Sequence, residues 1–368
     1  MADPSALKME HNAERARSLQ IDRMIEADRR IFAKLKDEPQ VLVLGSGDSG
    51  KTTFMKQIKI LHGPGYAKME RSAYRAQILE NIRDSFLATA ACLQHSQVQF
   101  SDPQLMKCMT AILDFYITQS PDDRDILPAN LARDIQDVWG DSGLQRALAE
   151  TDKSRLQIQD TAGYFLSQAC RFADEKSLPT NDDIVRIRSP TLQITESEYK
   201  IDNINFHFYD VGGQLKHRKQ WVPYFDHVHT VIFVVSLACY DQMLAEDETI
   251  NRMHDALGLF EEVCNNPLLR KIPVTLFLNK KDLFETKIHI SPIGNYFPDF
   301  SASPILAKGT QFFDKKFRDK LMVDESSNHQ KRNMFTHVTC CTDTSAMGVI
   351  IVTVMDSILQ RGLESIGI

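Results

Sequence analysis

The chain has 368 residues, 43% hydrophobic and 25% charged, a globular composition with enough apolar material for two domains. Its 43 basic and 49 acidic residues leave a net charge of −6, with no long run of one sign at either end, which gives no reason to expect a nucleic-acid partner. The longest clean apolar stretches, 231–235 and 349–352, are far too short to span a bilayer.

The N-terminus, Met1-Ala2-Asp3-Pro4, has no secretory pattern, and Ala2 stands where N-myristoylation needs glycine. The expected location is cytoplasmic. The seven cysteines form no C-x-x-C pair and no metal-like spacing with histidine, so they are read as reduced thiols. Residues 5–37 read as a charge-mixed helix with a partial apolar face that includes Ile21, Met24, Ile25 and Leu35. Such a helix wants a partner, although a solvated terminus has an equal claim on the same pattern.

The apolar segment Val41-Leu42-Val43-Leu44 leads into Gly45-Ser46-Gly47-Asp48-Ser49-Gly50-Lys51-Thr52-Thr53, which satisfies G-x-x-x-x-G-K-[ST] at every required position. Its glycines let backbone N–H groups converge on phosphate oxygens, Lys51 supplies a positive charge, and the Thr52 hydroxyl can ligate Mg²⁺ at a helix N-terminus. A nucleoside triphosphate is therefore expected here. The break Gly63-Pro64-Gly65 then opens a segment with little β character, running to Pro179-Thr180, with helical stretches at 72–92, 104–117 and 158–173. Short β-rich runs return at 192–199, 204–210, 230–237, 273–279 and 335–339, alternating with helices. This alternation predicts a mainly parallel α/β nucleotide-binding core interrupted by an all-helical insert.

Four further sites follow in order. An arginine in the linker Asp183-Ile184-Val185-Arg186-Ile187-Arg188-Ser189-Pro190-Thr191 can stabilise charge on a transferring phosphoryl group, and Thr191 can complete a Mg²⁺ shell. In Asp210-Val211-Gly212-Gly213-Gln214, at a strand end, Asp210 can hold Mg²⁺ through water, the Gly213 N–H can reach a γ-phosphate, and Gln214 can orient water. Asn279-Lys280-Lys281-Asp282 follows an apolar strand, where ligands meet the carboxyl ends of a sheet. Asp282 can accept from both the ring N1–H and the exocyclic amine of guanine, a pair of donors adenine lacks. Thr339-Cys340-Cys341-Thr342 can present a backbone N–H to the guanine O6.

These five ordered motifs resemble the α subunits of heterotrimeric G proteins over nearly the whole chain. The resemblance implies a Ras-like phosphate-loop GTPase core (38–65 and 181–368), an inserted all-helical domain (66–180), and an N-terminal helix (1–37) that binds a β–γ dimer. It implies GTP or GDP with Mg²⁺ as ligands, Thr52 and Thr191 as metal ligands, Arg188 as an arginine finger in cis, and Gln214 as the water-positioning residue. Gly45, Gly47, Asp48, Ser49, Gly50, Lys51, Thr53, Asp160, Val185, Arg186, Asp210, Gly213, Asn279, Lys280, Asp282 and Cys341 complete the nucleotide site it implies. Arg218, Lys219 and Trp221 resemble the family's second switch, which packs against the helix carrying Asp255. The implied partners are a β–γ dimer, a seven-helix receptor and an effector, reached at the cytoplasmic face of the plasma membrane. With Ala2 and no cysteine before Cys92, no direct lipid anchor is expected.

Several positions depart from the family pattern. Asp48 replaces glutamate and is one methylene short for pairing with Arg188, so looser closure and faster nucleotide release are expected. Pro190 replaces a common lysine, and Gln193 replaces the glycine against which GTPase-accelerating proteins dock, predicting weak sensitivity to them. Leu215 stands where arginine is usual, and the ending Leu363-Glu364-Ser365-Ile366-Gly367-Ile368 has no cysteine for pertussis-toxin-type modification. Two competing readings are a nucleotide-bound interaction module that no longer cycles, and a phosphate-loop ATPase or kinase. Retention of Arg188 and Gln214 argues against the first, and Asn279-Lys280-Lys281-Asp282 against the second.

Overall fold

Strands buried on both faces need unbroken apolar runs, and the segments Val41–Leu44, Val231–Val235 and Leu276–Leu278 supply them. The computed structural model describes residues 38–366 except 94–97, 121–122, 124, 152–157, 192, 215–217, 220, 227, 245, 323–331 and 333. The expected N-terminal helix, Leu215 and the last two residues lie outside the described residues, and no side chain is described from 361 onward. Strands β1 (Gln40–Leu44), β2 (Thr195–Ile201), β3 (Ile204–Asp210), β4 (Thr230–Ser236), β5 (Val274–Asn279) and β6 (Met334–Val338) form one sheet in the order β2-β3-β1-β4-β5-β6. All neighbours are parallel except β2 and β3, which form a hairpin with Ile201 opposite Ile204. The hairpin loop is Asp202-Asn203, both at positive φ, as a two-residue turn of the I′ type demands. That turn sets the register and places β2 a few residues later than the β-rich run suggests.

Twelve helices are seen among the described residues: α1 (Lys51–His62), α2 (Lys68–Cys92), α3 (Gln104–Thr118), α4 (Ala129–Gly140), α5 (Ser142–Glu150), α6 (Ala162–Leu166), α7 (Ala169–Ala173), α8 (Asn181–Arg186), α9 (Arg252–Cys264), α10 (Lys281–Lys287), α11 (Leu306–Asp319) and α12 (Thr344–Ile366). Strand alternation divides the core of the sheet. Leu42, Leu44, Phe233 and Leu276 face α9 and α11 through Phe260, Phe313 and Phe317, whereas Val41, Val43, Ile232 and Phe277 face α1 and α12 through Phe54, Ile58, Ile351 and Met355. The two layers are thus made by the same strands.

A third, separate core holds α2 through α7 together, around Ile78, Ile82, Phe86, Ile112, Ile135, Phe165 and Phe172. The sequence pattern suggests a single helix over 158–173, but two short helices occur, with a break at Ser167-Gln168. The backbone groups the break would orphan find side-chain partners: the Gln136 amide donates to the Ser167 carbonyl, and its Oε1 accepts from the Cys170 N–H at 3.1 Å. Arg75 donates to the Phe172 carbonyl at 3.0 Å.

The linker back to the sheet is anchored by a buried carboxylate. Asp183 accepts from Arg171 at 2.5 and 2.9 Å, from the Tyr164 hydroxyl at 2.6 Å, and from Thr180 N–H and Oγ1 at 2.7 and 2.9 Å. Burial alone would raise its pKa, but these donors win and hold it at about 2, below the ordinary 3.8. A depressed carboxylate contributes stability above the unfolded value, and that contribution is lost as pH falls from about 4 through about 2. Replacing Arg171 by Met should lower unfolding free energy by about 3 kcal/mol and move the acid-unfolding midpoint to higher pH. Acid titrations of both proteins followed by circular dichroism check this, and superimposable acid limbs would contradict it.

Candidate functional site

Lys51 begins α1 directly after Gly50, which has φ +106° and no side chain to cap the helix, so the first amides open onto a cleft of about 320 Å³. A Cβ on Gly50 would lie 2.2 Å from the Asn279 Nδ2. Only glycine allows both that backbone angle and that approach. The Lys51 ammonium is buried and donates to the carbonyls of Gly45 at 3.0 Å and Ser46 at 2.8 Å. Burial lowers its pKa to about 8, against the opposing pull of Asp210 and Asp48. Gly213 closes this cradle, since a Cβ there would meet Lys51 Nζ at 2.4 Å and the Gly45 carbonyl at 2.5 Å.

Almost every residue expected at the site lines this one cleft. The two exceptions stand just behind its wall. Gly45 contributes its carbonyl to Lys51, and Asp210 accepts from the Thr52 hydroxyl at 3.2 Å. The Thr52 and Thr191 hydroxyl oxygens are 2.7 Å apart although 139 residues separate them in sequence. Asp210 Oδ1 is buried with no protein partner, and burial raises the carboxyl pKa. Two hydroxyls beside a desolvated carboxylate with a spare oxygen are an oxygen set that fits a Mg²⁺ ion with part of its water shell.

At the other end of the cleft Asn279 fastens two loops. Its Nδ2 donates to the Ser49 carbonyl at 2.9 Å, and its Oδ1 accepts from the Cys341 N–H at 2.9 Å and the Thr339 hydroxyl at 3.1 Å. Within the Thr339-Cys340-Cys341-Thr342 run, expected to offer a backbone N–H to a purine carbonyl, the Cys341 N–H is thus engaged by Asn279. Lys280 adopts the left-handed conformation (φ +59°) and pairs with Asp160 of the helical segment at 2.6 Å. Asp282 lines the same end of the cleft.

Asp48 was expected to fall short of Arg188, and the structure corrects this in part. Its carboxylate lies 3.7 Å from Arg188 Nε, but closer to Arg252 at 3.3 Å and Lys280 at 3.5 Å. Burial by itself would raise its pKa, and the three cations, Lys280 foremost, hold it well below the carboxylate range. Arg252 had no signal in the local sequence, yet it also donates to the Gly47 carbonyl at 3.0 Å. Two more residues escaped sequence reasoning. Lys56 donates to the carbonyls of Ile184 and Ile187 at 3.0 and 2.9 Å, and Asn81 bonds the backbone of Arg188. Val185 is buried in the wall, while Arg186 pairs with Asp182 and stacks over the Tyr164 ring.

Gln214 and Arg218 also line the cleft. Arg218 forms a two-pronged bond with Asp255 of α9 at 3.0 and 2.6 Å, and the buried Trp221 donates to the Gly212 carbonyl at 3.0 Å. Arg218 is thereby tied to α9, as the family resemblance implies. Pro190 and Gln193 are exposed.

Residues 15–358 match the family model described as G-protein alpha subunit. The chain is 32% identical to a guanine nucleotide-binding protein subunit alpha of Pyricularia oryzae, and 31% identical to a guanine nucleotide-binding protein alpha-1 subunit of Neurospora crassa. Each match covers 98% of this chain and 99% of the relative.

The long Asp48–Arg188 contact has a measurable consequence. In Asp48→Glu the extra methylene carries the carboxylate toward Arg188, and GDP release should slow by about three- to tenfold through one added charge-assisted bond. Fluorescent-GDP dissociation measures it; an unchanged rate would show that the shortened side chain is immaterial to closure.

Proposed function

The chain belongs to the family of G-protein alpha subunits, which bind and hydrolyse GTP with Mg²⁺, and from that premise we propose that it relays signals from a seven-helix receptor to an effector. In this reading it binds a β–γ dimer when GDP-loaded and the effector when GTP-loaded. Membrane-face association comes through these partners, and no helix among the described residues is long and apolar enough to cross a membrane. We assign 38–65 and 181–368 to the GTPase unit, 66–180 to the helical insert, and 1–37 to β–γ binding.

The observation that carries this reading is the shared cleft: Arg188 and Gln214 line the same cavity as Lys51, Thr52, Thr191 and Asn279. Thr52 and Thr191, with Asp210 behind them, would hold Mg²⁺, which neutralises charge between the phosphates when bound. Lys51 and the α1 amides bind and orient the phosphate oxygens. Gln214 aligns the attacking water, and Arg188 meets charge developing on the transferring group. Asp282 and Lys280 select and cover guanine. The Arg218–Asp255 pair and the buried Trp221 give the second switch an ordered packing whose occupancy can depend on a γ-phosphate.

Single-turnover hydrolysis tests the assignment. Arg188→Cys should slow GTP hydrolysis by about 10³-fold or more while GTP still binds, given that an arginine of this kind is worth about 10³ to 10⁵ in rate, and Gln214→Leu should slow it strongly as well. Tight GTP binding with no hydrolysis in the parent protein would favour the non-cycling interaction module instead. A second expectation concerns the exposed Gln193: a GTPase-accelerating protein should stimulate the parent weakly and Gln193→Gly strongly. Strong stimulation of the parent would refute it.

A further inference from the structure

Arg188 lies just beyond α8, in a stretch from 187 to 191 that has no regular structure, and its side chain is 46% exposed in the cleft lining. A cation on such a segment can act on a phosphoryl group only if something fixes its backbone. The fixing groups come from the helical insert. Asn81 of α2, only 4% exposed, accepts the Arg188 N–H on Oδ1 at 2.8 Å and donates from Nδ2 to the Arg188 carbonyl at 2.9 Å. One amide thus satisfies both polar groups of one residue, as a neighbouring strand would. One turn earlier on the same helical face, Gln77 accepts the Ser189 hydroxyl at 2.7 Å. From the other side Lys56 of α1 holds the carbonyls of Ile184 and Ile187. The linker is gripped from the insert at 188–189 and from the nucleotide-binding core at 184–187.

We propose that Asn81 is a positioning residue for hydrolysis, through which docking of the helical insert places the Arg188 guanidinium in the cleft. The inference rests on the reading of Arg188 as the charge-stabilising arginine. Asn81 lies outside the cleft lining, so it acts through the arginine backbone and touches no ligand. An error of about 1 Å in the arginine's starting point is enough to cost roughly two orders of magnitude in rate. The insert then contributes to chemistry as well as enclosing the nucleotide, because undocking α2 releases Arg188 from its anchor.

A double-mutant cycle on the full chain tests this, with single-turnover GTP hydrolysis and equilibrium binding of a non-hydrolysable GTP analogue read side by side. Asn81→Ala should slow hydrolysis about tenfold or more while changing analogue affinity less than about threefold. In the Arg188→Cys background the same substitution should slow hydrolysis no further, because the group it positions is gone. Equal slowing in both backgrounds, or slowing matched by an equal loss of analogue affinity, overturns the proposal. Asn81→Asp, which keeps the acceptor and removes the donor, and Gln77→Ala carry the same cycle if Asn81→Ala does not fold. Parent-rate hydrolysis by Arg188→Cys alone would overturn the reading of Arg188 itself, an outcome distinct from simple additivity.

Discussion

The site depends above all on one buried amide. Asn279, at the end of β5, bonds the phosphate loop through Ser49 and the 339–342 loop through Thr339 and Cys341. Each bond is ordinary in strength, about 1 kcal/mol net, but each partner is buried and would be costly to leave unpaired. The phosphate and base ends of the cleft therefore keep a fixed separation. Gly50 gives way to make this possible, since any side chain there would collide with the amide.

Around this fixed frame the charges are shared rather than paired one to one. Asp48 faces Arg188, Arg252 and Lys280, and Lys280 reaches on to Asp160 in the helical segment. A carboxylate among three cations stays ionised in a buried setting because their combined attraction outweighs its desolvation. The shorter side chain of Asp48 draws this network toward Arg252 and the phosphate loop. The arginine of the linker is left with the longest contact of the three, and its position rests more heavily on its backbone bonds.

Those backbone bonds join two units with separate cores. The helical core takes in Ile184 and Ile187 of the linker and packs against Ile60 of α1, and beyond that limited apolar contact the two units are joined by polar groups: Lys56 to the linker carbonyls, Asn81 and Gln77 to residues 188 and 189, and Lys280 to Asp160. Directional bonds of this kind hold one geometry well. They also separate at a smaller cost than a broad apolar seam would, which suits a site that must take up and release its ligand.

Much of this was legible in the chain because the chemistry is local. The phosphate loop needs glycines, a lysine and a hydroxyl within a few residues, and the unbroken apolar runs of β1, β4 and β5 declare strands buried on both faces. Periodicity over 158–173 misled, because the helix break is stabilised by Gln136, a residue some thirty positions upstream. By itself the sequence determined the ligand class, the alternation of strands and helices, and the residue types at each motif, since those follow from contacts between near neighbours along the chain. Only the tertiary structure decided that Asn81 and Lys56 hold the linker, that Arg252 shares Asp48, and that Asn279 occupies the Cys341 amide. Such partners lie between 62 and 204 residues apart, and no local pattern encodes a contact that exists only once separate elements have packed.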